Sequence, residues 1–254
     1  MIQYYMDLWN TIIVLCKASE GGNVGAVCRS MKNMGLSKLR LVSPENMDTE
    51  KIYARAVHAF DIWENARHFE TLAEAVKDCS IVVGTTRRRG HYRKNISMTP
   101  RTLAEWLAQK GISESVSENV DHHFAAIVFG NERTGLNDSD LDLCNFASHI
   151  PVSEDQPSLN LSHAVQIYAY ELFLALQDRK PVKGDWQPMN QGQISVLVGS
   201  ITETLANLGF YKQYGRDLQE RFLQDVIARA GLSEKEGGYF RDIFAKAARL
   251  GKGD

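Results

Sequence analysis

Cysteine is scarce in this 254-residue chain, and the four residues present are scattered. Cys16, Cys28, Cys79 and Cys144 form no C-x-x-C pair. Zinc-site spacing is therefore absent, and a disulfide framework is disfavoured in a chain of this size. The thiols read as buried groups in a reducing compartment. Long apolar runs are lacking as well. Ile12–Cys16 is too short for a signal-peptide core or a membrane span, and Met1–Asn10 carries Asp7 and no basic stretch. A soluble, cytoplasmic protein is the expectation. Nor is there an excess of charge of one sign: the formal net charge is −2. A nucleic-acid partner would have to be met by local positive charge. Walker A, G-x-S-x-G and H-E-x-x-H signatures are missing. The seven histidines show no ligand spacing, so no metal is expected. There is no repeat and no low-complexity segment.

What is present is an alternation of short apolar runs and helical stripes. Thr11–Cys16, Leu39–Val42, Ser80–Gly84 and Ala125–Phe129 are near-continuously apolar, as strands covered on both faces are. A shorter strand is read at Ser148–Val152. Between them, Val24, Val27, Cys28, Met31 and Met34 recur at threes and fours after a glycine-rich turn, Glu20–Gly25. Tyr53–Trp63, Thr71–Val76 and Thr102–Gln109 are further helical candidates. Leu161, Ala164, Val165, Tyr168, Leu172 and Leu176 share one stripe. The fold class is α/β, with a mostly parallel sheet covered by helices. On general rules of connection it would be an open, unknotted sheet.

The composition shifts after Gln177. Pro181, Gly184, Pro188 and Gly192 mark a linker over 178–192. Three helical patterns follow, giving a domain over 1–177 and a small all-α domain over 193–254. Residues 178–254 hold 12 Lys and Arg against 10 Asp and Glu, leaving 17 against 21 for the rest. That asymmetry is too mild to imply RNA by itself.

Candidate chemistry sits in the loops after the strands. The turn Gly21–Gly25 lacks the G-x-G-x-x-G spacing of a dinucleotide fingerprint, and an ordinary turn is favoured there. The segment Thr85–Asn95 is more unusual. Arg87, Arg88, Arg89, Arg93 and Lys94 surround His91 and Tyr92, which combines phosphate-binding groups with a ring that can stack on a base. Gly130–Gly135 follows another buried strand, with glycines at both ends and Glu132 beside Arg133. Ile150–Ala164 runs from a strand through a polar loop into a helix. Pro157 stiffens this loop, and Ser158 or Asn160 can cap the helix. Taken alone, it is as readily a plain connection as a binding loop.

Three stretches together resemble the SPOUT RNA ribose methyltransferases, and the TrmJ-type tRNA methyltransferases in particular. They are Asn23-Val24-Gly25-Ala26-Val27-Cys28-Arg29, Phe129-Gly130-Asn131-Glu132-Arg133-Thr134-Gly135-Leu136 and Pro157-Ser158-Leu159-Asn160-Leu161-Ser162. Any one of them is weak; the ordered set is specific. The resemblance implies a sheet whose C-terminal part forms a trefoil knot, an exception to the unknotted rule. It implies a homodimer with its site at the subunit interface, and a helical C-terminal domain that contacts tRNA. It implies transfer of a methyl group from S-adenosylmethionine to a ribose 2′-hydroxyl of tRNA, most specifically at nucleotide 32 (C and/or U), with no DNA or membrane partner.

Carried over by position, the cofactor would rest on three loops. Thr85, Thr86 and Arg87 supply the first, Gly130 the second, and Ile150, Pro157, Ser158 and Leu159 the third. Asn23 and Arg29 would face the RNA, with Arg88, Arg89, Arg93 and Lys94 as further RNA contacts. Arg29, Ser158, Asn160 and Glu132 would stand at the reacting centre. A guanidinium is a poor proton acceptor, so polarising the hydroxyl or holding a phosphate suits Arg29 at least as well as acting as a base. Two other readings stay open: methylation of ribosomal RNA or another tRNA position, and a non-catalytic RNA-binding module on the same scaffold.

Overall fold

The computed structural model describes residues 10–45, 47–87, 97–109, 124–177, 188–211 and 215–251. The described residues divide into two compact units. One lies within Met1–Val76 and Val82–Lys183, the other within Lys77–Ile81 and Gly184–Asp254. No described helix is long and apolar enough to cross a membrane.

The first unit is organised by a seven-stranded sheet in the order β3-β2-β1-β6-β4-β7-β5. Its elements, in chain order, begin with β1 (Thr11–Cys16), α1 (Gly21–Asn33), β2 (Lys38–Val42), α2 (Thr49–Ala56), α3 (Phe60–Glu64) and β3 (Arg67–Phe69). They continue with α4 (Leu72–Val76), β4 (Cys79–Thr85), β5 (Ser97–Met98), α5 (Pro100–Gln109) and β6 (Phe124–Phe129). Last come α6 (Asp138–Asp142), β7 (Phe146–Ser148) and α7 (Leu161–Gln177). β1 pairs in parallel with β2 and β6, β2 with β3, and β7 with β4 and β5. Every residue of β1 is buried, which explains its unbroken apolar run: it lies between two strands with covered faces. The stripe of α7 is buried at Leu161, Val165, Tyr168, Leu172 and Leu176.

Several expectations change. The glycine-rich turn is helix: α1 starts at Gly21, so Gly21, Gly22 and Gly25 lie inside it. At Gly21 and Gly25 the lack of a side chain serves packing rather than a turn. A Cβ on Gly21 would lie 2.6 Å from the Asp48 carbonyl oxygen, and one on Gly25 would lie 2.3 Å from that of Ile52. The helical run Tyr53–Trp63 is broken at Val57, whose φ of 56° no helix accommodates. The strand expected at Ser148–Val152 ends at Ser148, and Ile150–Val152 is loop. β3 and β5 carry only three and two residues, too few for periodicity to reveal.

The second unit holds α8 (Gln191–Asn207), α9 (Arg216–Ala230) and α10 (Glu234–Gly251). Asn190 caps α8 by accepting from the Gln193 amide, and the Gln193 side chain returns the bond to the Asn190 amide. Met189, Ile194, Leu197, Val198, Ile201, Leu223, Ile227 and Ala228 form its core, with Phe240 and Phe244 of α10 packed on it.

Candidate active site

Parallel pairing sends the C-terminal ends of strands to one edge of a sheet, where ligand loops collect. Here three such loops enclose a cavity of about 180 Å³. Thr85, Thr86 and Arg87 follow β4, Gly130–Leu136 follow β6, and Ile150, Val152, Pro157, Ser158 and Leu159 come from the loop between β7 and α7. All eight residues expected to hold a cofactor line it, and so does Glu132.

Each wall is tied down. Thr85 Oγ1 donates to the Val128 carbonyl at 2.9 Å, joining the ends of β4 and β6. The Thr86 amide donates to the Ser148 carbonyl at 2.9 Å. The loop after β6 doubles back on itself, with Asn131 and Gly135 bridged and the Gly135 amide donating to the Asn131 carbonyl at 2.8 Å. Only glycine fits at 130: a Cβ there would lie 2.1 Å from both the carbonyl carbon of Gly135 and the amide nitrogen of Leu136. Gly135 itself takes a φ of 70°. Asn131 fastens the turn to the end of β1, donating from Nδ2 to the Lys17 carbonyl at 2.6 Å.

Beside the cavity runs a chain of hydrogen bonds through all three motifs. Ser19 donates to Glu132 Oε2 from its amide at 3.2 Å and from its hydroxyl at 3.1 Å. Asn23 Nδ2 donates to Glu132 Oε1 at 3.2 Å. Asn160 Nδ2 donates to Asn23 Oδ1 at 2.9 Å. Asn160 Oδ1 accepts from the Ser162 amide at 2.9 Å and the Ser162 hydroxyl at 2.7 Å. Asn160 is thus the residue that caps α7; Ser158 lines the cavity instead. Glu132 spends its carboxylate on Ser19 and Asn23, so the turn holding it is no mere surface ion pair.

The cavity floor is Tyr168, which is fully buried and edge-on to Phe129 with ring centroids 5.4 Å apart. Its hydroxyl donates to Ser148 Oγ at 2.7 Å, and Ser148 Oγ donates to the Met98 carbonyl at 2.8 Å. Burial pushes the Tyr168 phenol above its usual range, against the pull of the Ser148 bond. Arg29 is exposed on α1 and lies outside the cavity lining. Arg88, Arg89, Arg93 and Lys94 lie outside the described residues.

Sequence reasoning missed Ser19 and Ser148, and left Ser162 in the third motif without a role. Ser19 had one available signal, its place just past a buried strand. Tyr168 was legible only as core, which it is; its second role as floor needed the fold.

A model of the SpoU rRNA Methylase family matches residues 10–170. The chain belongs to that family. Membership bears out the resemblance carried by the three motifs and makes the protein a methyltransferase. Among its SpoU-type relatives is an uncharacterized tRNA/rRNA methyltransferase of Haemophilus influenzae, 43% identical over 235 residues and 90% of each chain. A tRNA (cytidine/uridine/adenosine-2′-O-)-methyltransferase, TrmJ, of Pseudomonas aeruginosa is 33% identical over 254 residues and 95% of each. The crystal structure of TrmJ from Zymomonas mobilis superposes with a TM-score of 0.71 at 28% identity, over 93% of this chain and 98% of that one. The mostly parallel sheet with flanking helices is the SpoU methyltransferase fold.

Proposed function

We propose that this SpoU methyltransferase transfers a methyl group from S-adenosylmethionine to a ribose 2′-hydroxyl of tRNA, at nucleotide 32 (C and/or U) of the anticodon loop. The observation that carries the reading is the Glu132–Asn23–Asn160 chain standing beside a cavity walled by three strand-end loops. The TrmJ relatives support the tRNA ribose as target.

The cavity suits the cofactor in kind. Leu136, Val152, Pro157 and Leu159 offer apolar surface to an adenine ring, and the loop backbones offer donors and acceptors to ribose and amino-acid groups. When bound, S-adenosylmethionine supplies a methyl carbon made electrophilic by its sulfonium. The chain's own task is to hold the attacking oxygen in line with that carbon, and alignment of this kind accounts for much of such a rate enhancement. Asn23 and Asn160, locked to each other and to Glu132, form a rigid edge against which the target nucleotide is placed. Arg29 polarises the 2′-hydroxyl or holds the neighbouring phosphate, and Ser158, in the cavity wall, would stand near the reacting centre.

The rest of the reading follows the family. The loop Ile150–Asn160 and α7 form the knot, and two copies of the chain complete the site as a homodimer. The domain boundaries stand at 1–177 and 193–254 with a linker over 178–192, and the helical domain contacts the tRNA body. The enzyme works in the cytoplasm, where tRNA is modified.

The test uses labelled cofactor with unmodified tRNA and with tRNA carrying a 2′-deoxy nucleotide at position 32. Label should enter the first and not the second. Equal labelling of both would move the target to another ribose, and label entering only ribosomal RNA would move it to another molecule.

A further inference from the structure

Helix α2 lies so close to α1 that the contact is backbone against backbone. The two helices rise together: Gly21 meets Asp48 and Ile52, Gly25 meets Ile52, Arg55 and Ala56, and Lys32 Nζ reaches the His58 carbonyl at 2.8 Å. This register brings Arg55 over the first two turns of α1. Its Cγ lies 3.8 Å from the Cβ position of Gly22, and its Cβ lies 3.0 Å from that of Gly25. Arg29 follows Gly25 by four residues and Gly22 by seven, so it shares their stripe of the helix. Asn23, whose amide anchors the hydrogen-bond chain, is the next residue after Gly22.

Arg55 of α2 therefore lies over the stripe of α1 that carries Arg29. Both residues are exposed. Among the described residues neither has an acidic partner, while the neighbouring cations do: Lys32 pairs with Asp61 at 2.8 Å and Lys51 with Asp48 at 3.0 Å. Exposed guanidinium groups with no carboxylate of their own chain are open to an anion from outside it. The planar fork of arginine matches a phosphate with two parallel hydrogen bonds.

We infer that Arg55 is a substrate-binding residue that grips an RNA phosphate beside the target ribose, together with Arg29. The inference rests on the proposed action on tRNA and extends it to a residue outside the three motifs. Gly25 gains a functional reason from it: a Cβ there would lie 2.3 Å from the Ile52 carbonyl oxygen and 3.0 Å from the Arg55 Cβ, and would push α2 and Arg55 away from α1.

The experiment compares full-length wild type, Arg55→Ala and Arg55→Lys for binding of an unmodified tRNA transcript between 50 and 200 mM salt. Arg55→Ala should weaken binding about tenfold and lower the slope of log K against log salt by about 1. Arg55→Lys should keep the slope and most of the affinity. Calorimetric affinity for S-adenosylmethionine and the Tm should be the same in all three, and KM for tRNA should rise in Arg55→Ala with kcat held. Binding within twofold of wild type with an unchanged slope overturns the inference. So does an equal loss in both variants with a lowered Tm, which would make Arg55 a packing residue. Wild-type protein that binds tRNA through Arg55 yet transfers no methyl would sink the proposed function and leave this contact standing. Methyl transfer indifferent to Arg55 would do the reverse.

Discussion

Asn160 donates a hydrogen bond from Nδ2 to Asn23 Oδ1 at 2.9 Å, joining residues 137 positions apart. The same side chain, through Oδ1, caps α7 at Ser162. One residue thus fixes both the start of a helix and the edge of the site, and substitution can separate the two roles. Asn160→Asp keeps an acceptor for the Ser162 amide and loses the donor to Asn23. Its Tm should stay near wild type while kcat/KM falls about a hundredfold, the scale of a misplaced substrate. Asn160→Ala should show the same kinetic loss and in addition about 1 kcal/mol of lost stability, the usual worth of a cap. Equal stability of the two variants would contradict the capping role.

Arg29→Ala should abolish turnover, lowering kcat by at least about a hundredfold, and leave cofactor affinity unchanged, because Arg29 lies outside the cavity. Its exposure keeps the effect on stability within about 0.5 kcal/mol. Isothermal titration with the cofactor and single-turnover kinetics separate the two effects; lost cofactor binding would count against the assigned role.

Gly130→Ala should cripple the cavity. Its methyl group must displace the backbone of Gly135 and Leu136, which would otherwise lie 2.1 Å away. A cost of about 1–3 kcal/mol is expected, with cofactor affinity down about tenfold. Gly135→Ala is the control. No atom crowds a Cβ there, so only the φ of 70° is penalised, at about 1–2 kcal/mol. Thermal melts with and without cofactor distinguish a moved wall from a strained turn.

Alkaline pH should unfold the protein through its buried thiols. Burial pushes Cys16 and Cys28 up from an ordinary value of 9.0 to about 12. The unfolded chain releases these protons near pH 9, and the folded chain keeps them until about pH 12. Stability is therefore fully present below about pH 9 and declines as pH rises toward 12, by up to about 1.4 kcal/mol per pH unit for each thiol. Denaturant midpoints at pH 8, 9, 10 and 11 check this, and a Cys16→Ala/Cys28→Ala double variant should flatten the profile. Below pH 9 all four thiols, being buried, should resist alkylating reagents in the native state.

Much of the architecture was legible because burial is written locally. Thr11–Cys16 is apolar at every position because both its faces are covered, and the α7 stripe repeats because one side of a helix meets the sheet. The helix at Gly21 was misread because glycine signals a turn when local conformation is all one has. Its place in α1 follows from the approach of α2, a contact between residues some thirty positions apart.

By itself the sequence determined the four longest strands, the long helices, the family and the residues of the three motifs. Their union was decided by the tertiary structure. The strand order puts β1 beside β6 and β6 beside β4, and this order brings Ser19 and Asn23 to Glu132, 113 and 109 residues away. Asn160 showed in the sequence as a possible cap or site residue; the fold gave it both uses, one for each end of its amide. Arg55 carried no sequence signal at all. Its place over the stripe of α1 that carries Arg29 depends on two helices packed through glycine, and exists only once that packing has formed.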